Sequence, residues 1–306
     1  MTVNVIFYSI LAVSPFFFLG LVNRGKALWA GRRGAPVLQP YSDFSKLIRK
    51  GEVVSRTTSF VFRAAPTVQV AAVLFALLFV PVPYFGAVLS FPGDFVLFAY
   101  VLGLGKFMLV LAALDTGSSF EGMGASREVT FSVLVEMAFF ILLGTLALMT
   151  GQVSFGALFA TANVSAGYSL LVKILLVVSL FLMLLAEGSR VPVDDPATHL
   201  ELTMIHEVMI LDYSGPDLGY LVYAAGLKMV LIALLIANLC VPAHLPVVVG
   251  LPLAAGMLVM VFAAVAGIES LIARSRMSHV PQFLFLMTAL SLTAFAVIAF
   301  FLRGGI

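Results

Sequence analysis

Residues 167–219 read GYSLLVKILLVVSLFLMLLAEGSRVPVDDPATHLELTMIHEVMILDYSGPDLG. The opening twenty positions, 167–186, are almost wholly apolar and broken by one charge, Lys173. As a helix, a run of that length covers the roughly 30 Å hydrocarbon core of a bilayer. The next stretch, 187–219, holds seven carboxylates, Glu187, Asp194, Asp195, Glu201, Glu207, Asp212 and Asp217, before a second apolar run begins at Tyr220. Charged acids are costly to hold beside a membrane once they leave water, so such a cluster points to proton handling or to the docking of a partner.

The rest of the chain has the same character. Of 306 residues 62% are hydrophobic and only 10% are charged, which excludes a water-soluble domain. Eight stretches are long enough to span: 3–22, 65–83, 95–114, 129–150, 167–186, 220–240, 247–268 and 281–302. The expected fold is an all-α integral membrane protein, one polytopic domain over residues 1–306. The first stretch has no basic region before it and no small-residue cleavage site, and so reads as a retained span. One cysteine, Cys240, and four scattered histidines, His199, His206, His244 and His279, give no set of ligands for a cluster, a zinc site or several haems. No metal or other cofactor is expected in this chain, and no nucleic-acid partner.

Basic residues alternate between connections. The first carries Arg24, Lys26, Arg32, Arg33, Lys46, Arg49, Lys50, Arg56 and Arg63, whereas the second, fourth and sixth carry none. Odd-numbered connections are therefore expected on the cytoplasmic side, with Arg127, Arg190, Arg274 and Arg276, and both termini outside. Within the first connection, YSDFSKLIRKG places Phe44, Leu47 and Ile48 near one helical face, the pattern of an amphipathic helix lying along the bilayer. No internal repeat of the kind found in inverted-repeat transporters is visible.

Lys106, Glu136, Lys173 and Lys228 fall inside predicted spans, where a central charge costs roughly 2.5–3.5 kcal/mol. They are expected to face the bundle interior. Such a lysine also serves simply to bridge helices. Glu128 and Glu136, eight residues apart, stand about 80° from each other around the axis and can share one polar face. Glu187 and Glu269 reach the interface from the fifth and seventh spans, and His199 is placed to relay a proton near neutral pH. The run ALDTGSSFEGMGASRE, 113–128, has no Walker lysine and reads as a compact turn ahead of the fourth span. No triad-like ordering points to hydrolytic catalysis.

Three motifs carry a resemblance: GRRGAPVLQPYSDFSKLIRKG in the first connection, ALDTGSSFEGMGASRE after the third span, and EGSRVPVDDPATHLELTMIHEVMILDYSGPDLG after the fifth. Together they resemble the subunit 1 family of respiratory complex I, which includes membrane subunits of energy-converting hydrogenases and formate hydrogenlyase. The resemblance covers nearly the whole chain. It implies a membrane subunit without a cofactor of its own, which anchors a peripheral electron-transfer arm and couples its redox chemistry to ion movement. Glu187, Arg190, Pro192, Asp194, Pro196 and Glu201 match the family's acidic loop; Arg127 and Glu136 match its fourth-span motif; Asp212, Tyr213, Ser214 and Gly215 match the end of the loop. Ala197 and His199 stand where complex I members and some formate hydrogenlyase members place two further glutamates, and the first connection is shorter than in quinone-reducing members.

The run LDTGSSF…GASRE and the ending ELTMIHEVMILDYSG look more like hydrogenase-type members, so the resemblance favours the hydrogenase-related branch. Its implied partners are hydrogenase-like large and small peripheral subunits carrying a nickel-iron centre and iron-sulfur clusters, together with antiporter-like membrane subunits and the lipid bilayer. Expected proton-coupling residues are Glu128, Glu136, Glu187, Asp194, Asp195, His199, Glu201 and Lys106. Expected docking residues are Arg32, Arg33, Asp115, Arg127, Arg190 and Asp212. The alternative within the family is a subunit lining a quinone chamber. Outside it stands an ion-coupled secondary transporter, which predicts transport by the single chain in liposomes.

Overall fold

The computed structural model describes residues 2–162, 169–194, 204–242, 245–272 and 277–303, and among them every extended element is helical. In chain order these are α1 (Thr2–Val13), α2 (Pro15–Trp29), α3 (Gln39–Ile48), α4 (Phe60–Leu77), α5 (Asp94–Asp115), α6 (Ser119–Thr150), α7 (Phe155–Thr161), α8 (Ser169–Glu187), α9 (His206–Met209), α10 (Gly215–Cys240), α11 (Val247–Leu271) and α12 (Val280–Arg303). Among the described residues eight segments are long and apolar enough to cross a bilayer: α1 with α2 over Ile6–Trp29, then α4, α5, α6, α8, α10 and α11, and α12 with the turn before it.

Several span boundaries differ from their sequence reading, α4 running Phe60–Leu77 and α10 starting at Gly215, and the first and fourth spans differ most. The first is broken at Ser14–Pro15 and runs on to Trp29. Proline has no N–H to give the carbonyl four residues back. The Ser14 hydroxyl donates to that carbonyl, on Leu11, at 2.8 Å, so the break leaves no orphan. The fourth span, α6, starts at Ser119, so most of the glycine-rich run expected as a turn is helical. Its glycines serve packing. A Cβ at Gly124 would stand 2.9 Å from the Ile205 carbonyl and against the Val208 side chain, so only glycine admits α9 here. At Gly122 a Cβ would meet nothing within 4 Å. Gly124→Val should therefore destabilise by about 1–3 kcal/mol, whereas Gly122→Ala should be neutral or stabilise by up to about 1 kcal/mol. Thermal midpoints of the two variants in mild detergent check this contrast.

The centre of the bundle is α10, buried at every residue from Gly226 to Leu239 and packed against α2, α3, α4, α8 and α11. Large exposed side chains such as Phe107 on α5, Val133 on α6 and Phe285 on α12 give the outer helices apolar outward faces, as a lipid-facing surface requires. The helix read from the first connection exists as α3. Its Phe44 ring lies 5.2 Å from Phe16 of α2 and 5.9 Å from Tyr223 of α10. The absence of a side chain at Gly219 lets Leu47 and Phe44 close on α10.

Alternation of direction gathers the ends of α2, α5, α8 and α11 with the starts of α4, α6 and α10 at one charged end of the bundle. Backbone-to-side-chain bonds knit it. The Ser59 N–H, at the start of α4, donates to Asp115 at 2.6 Å. The Val53 N–H donates to the Ser214 hydroxyl at 2.9 Å, and that hydroxyl lies 3.2 Å from the Val53 carbonyl. At the opposite end the buried Asp94 accepts the N–H groups of Phe155 at 2.5 Å and Phe91 at 3.3 Å.

Candidate functional site

Glu187 closes α8 just where the apolar run meets the acidic connection, and it binds two ammonium groups at once. Lys106 Nζ from α5 lies 2.7 Å from Oε1, and Lys228 Nζ from α10 lies 2.9 Å from Oε2. Glu128 of α6 stands 3.7 Å from Lys106. Two cations and two carboxylates drawn from four helices thus form a balanced, mostly buried row. Such a row holds helices together only while every member keeps its partner, since a lone buried charge is strongly destabilising. Small cavities flank it. One of about 20 Å³ reaches Ser132, Ser189 and Asp194; another of about 30 Å³ reaches Glu136 and Gly103. Each is large enough for roughly one or two waters.

Glu136 departs from the interior position expected for it. One side lines the cavity beside Lys106, Glu187 and Lys228, but the residue is exposed at the α6 surface among Val133 and Met137. The helical period explains this: 80° from Glu128, it sits on the edge of the polar face. It is the carboxylate beyond the balanced set.

A second ion cluster ties the first connection to the acidic one. The side chain of Glu269, near the end of α11, is fully buried, with Lys26 of α2 at 2.8 Å and Arg190 at 3.3 Å. The chain reaches this point by turning sharply after α8 at Ser189, whose φ is +51°. The Arg190 N–H then donates back to the Leu185 carbonyl at 2.9 Å. Arg190 therefore braces helices within the chain, as well as lining the cavity described below.

Asp194 is buried, 1% exposed, and accepts the N–H groups of Ile205 and His206, each at 3.1 Å. Expected as a proton-coupling residue, it is seen here in a structural role, holding the return of the acidic connection. Arg127 donates to the Met204 carbonyl at 3.0 Å, and Asp115 caps α4. Arg32, Arg33 and Asp212 are exposed. Asp195, His199 and Glu201 lie outside the described residues, as do Ala197, His244, Arg274 and Arg276. Tyr213 donates to the Phe62 carbonyl at 2.8 Å and stacks on the Phe62 ring at 4.0 Å. Burial, reinforced by the carboxylates of Asp217, Glu121 and Asp115, pushes its hydroxyl far above the ordinary tyrosine value.

Sequence reading missed Lys26, Glu121 and the pairing of Lys228. Lys26 lies four residues beyond the fully buried Val22 on α2, so a helix extended past 22 would have turned it inward. Glu121 stands three residues after Ser118, a spacing that signals a helix start there. A cavity of about 280 Å³ opens at the charged end between α2, α3 and α10, walled by Phe16, Phe44 and Tyr223, with Arg190 and His206 at its polar side. No group of three or more possible metal ligands occurs among the described residues.

Comparison with known proteins follows this architecture. Hydrogenase-4 component C of Escherichia coli is 32% identical over 235 residues, covering 76% of this chain and 72% of that protein. Formate hydrogenlyase subunit 4 of the same organism is 29% identical, covering 76% and 75%. NADH-ubiquinone oxidoreductase chain 1 of Petunia hybrida is 29% identical, covering 77% and 73%. A chain in the structure of the membrane-bound sulfane sulfur reductase, an archaeal respiratory membrane complex, superposes with a TM-score of 0.82 at 18% identity, over 96% of this chain and 97% of that one, and so has the same fold. The NADH dehydrogenase family model matches residues 2–300, and the chain belongs to that family, that of complex I subunit 1.

Proposed function

We propose that this chain is the membrane-anchoring and coupling subunit of a multisubunit energy-converting hydrogenase or hydrogenase-related oxidoreductase. The observation that carries the reading is the Glu187 carboxylate held between Lys106 and Lys228, with Ser189 and Asp194 of the acidic connection lining the cavity beside it. The likeness to hydrogenase-4 component C and formate hydrogenlyase subunit 4 supports it. The charged end faces the cytoplasm, and α3 lies along the membrane surface there. Exposed Arg32, Arg33 and Asp212 dock a peripheral arm of hydrogenase-like subunits, which hold the nickel-iron and iron-sulfur centres. Antiporter-like membrane subunits cover the exposed face of Glu136, since a carboxylate at that depth is costly against lipid.

Coupling runs through the return of the acidic connection. Residues 204–206 are gripped from both sides, by Arg127 at Met204 and by Asp194 at Ile205 and His206. A change in the docked arm that shifts them moves groups beside Glu128, and the water-sized cavities let a proton or sodium ion follow the altered charge toward Glu136. Ion pairs a few ångströms apart respond strongly to such shifts, because interior screening is weak.

The 280 Å³ cavity favours a second reading, a quinone chamber. Its aromatic walls fit a flat ring, and Arg190 and His206 supply donors for a carbonyl. Purification of the complex through a tag on this chain separates the two readings. The first predicts hydrogen-linked electron transfer that proceeds without quinone and is unaffected by quinone-site inhibitors; inhibitor-sensitive quinone reduction would replace it with the second.

A further inference from the structure

Several buried acids lie outside the row of Lys106, Glu187, Lys228 and Glu128; Asp94, Asp194 and Asp217 are among them. Glu121, in the first turn of α6, is 1% exposed. Its spacing from Ser118 is that of a capping box, in which the glutamate returns to the N–H of the cap residue. It does not do so. The Ser118 N–H is taken by the Thr116 hydroxyl at 3.2 Å, and Glu121 Oε1 instead accepts the N–H of Asp212 at 3.1 Å. Oε2 is buried with no hydrogen-bond partner. No lysine or arginine pairs with this carboxylate among the described residues. Its polar neighbours are the Thr116 hydroxyl, which donates to the Ala113 carbonyl at 2.8 Å, and acids. Asp212 adjoins it on the covering segment, Asp115 ends the neighbouring α5, and Asp217 of α10, beside Glu52, lies with Glu121 and Asp115 around Tyr213 of that segment. From α9, His206 and Glu207 line the cavity beside α2 and α3.

An ionised carboxylate buried with one N–H donor and acidic neighbours costs several kcal/mol, and binding a proton removes that cost. We propose that Glu121 stores a proton beneath the Asp212–Ser214 segment and surrenders it when that segment moves. The cover is anchored by groups outside α6: Tyr213 to the Phe62 carbonyl, and Ser214 to Val53 of the first connection. With 32 residues α6 is about 48 Å long, so its polar first turns extend beyond an apolar core of roughly 30 Å. When the cover lifts, the Oε2–H proton passes to water beside exposed Asp212, and the carboxylate left behind is stabilised by that water.

Glu121 stands seven residues before Glu128, two turns away on nearly the same face, at the surface end of the charged row. The use made of the proton rests on the coupling function proposed above. Its storage does not.

The test is infrared spectroscopy of the resting complex purified through this chain. At neutral pH the wild type should show a protonated-carboxyl stretch that moves with ¹³C-glutamate labelling and is lost in Glu121→Gln, whose amide oxygen still accepts the Asp212 N–H. Tyr213→Leu, which loosens the cover, should shift the disappearance of that band to lower pH. Coincident wild-type and Glu121→Gln spectra would overturn the stored proton, and an unshifted titration in Tyr213→Leu would overturn its gate. Neither measurement needs electron flow or an ion gradient, so their failure is distinct from failure of the coupling reading.

Discussion

Replacing Glu187 by leucine is expected to lower the stability of the chain by about 3–5 kcal/mol, the usual cost of breaking a buried ion pair from one side. The carboxylate satisfies Lys106 and Lys228 together. Without it Lys106 keeps only Glu128, at 3.7 Å, and Lys228 has no other ion-pair partner among the described residues. Lys228 cannot retreat to the surface, because α10 is enclosed around it. Replacing Lys228 by methionine in the same chain removes the stranded charge and should recover roughly half of the loss, since hydrophobic substitutes for a complete buried pair are often tolerated. Thermal midpoints in mild detergent for the single and double variants report both effects. An unchanged midpoint in Glu187→Leu would mean that the row contributes little to the fold.

The spans were legible because twenty-residue apolar runs separated by charged connections leave little choice of architecture in a bilayer. Their ends were less so. The reading of 113–128 as a turn rested on its glycines, yet Gly124 serves close approach to α9, a tertiary fact that local sequence does not carry. Glu128, Glu187 and Lys106 were picked out by the cost of charge in a membrane, and they do come together. The same rule does not identify partners. It marked Lys228 without its carboxylate, and it turned Glu136 inward although the helix places it at an outer edge. Arg190 was read as a docking group, but its bond to Glu269 depends on the direction in which the chain leaves α8.

Glu136 gives the cleanest approach to coupling. Among the described residues it joins none of the row's ion pairs, borders the cavity that reaches Lys106, Glu187 and Lys228, and is exposed enough for an isosteric amide to fit without repacking. Glu136→Gln should therefore leave assembly and stability within about 0.5 kcal/mol of wild type while removing the carboxylate. Electron transfer in the peripheral arm should continue, because no electron carrier is altered. The central claim is that these charges link that electron transfer to ion movement. The direct measurement is the number of ions moved per electron by the purified complex in sealed vesicles. The wild type should show a fixed ratio and Glu136→Gln a ratio near zero at a comparable electron-transfer rate; an undiminished ratio in Glu136→Gln would contradict the claim.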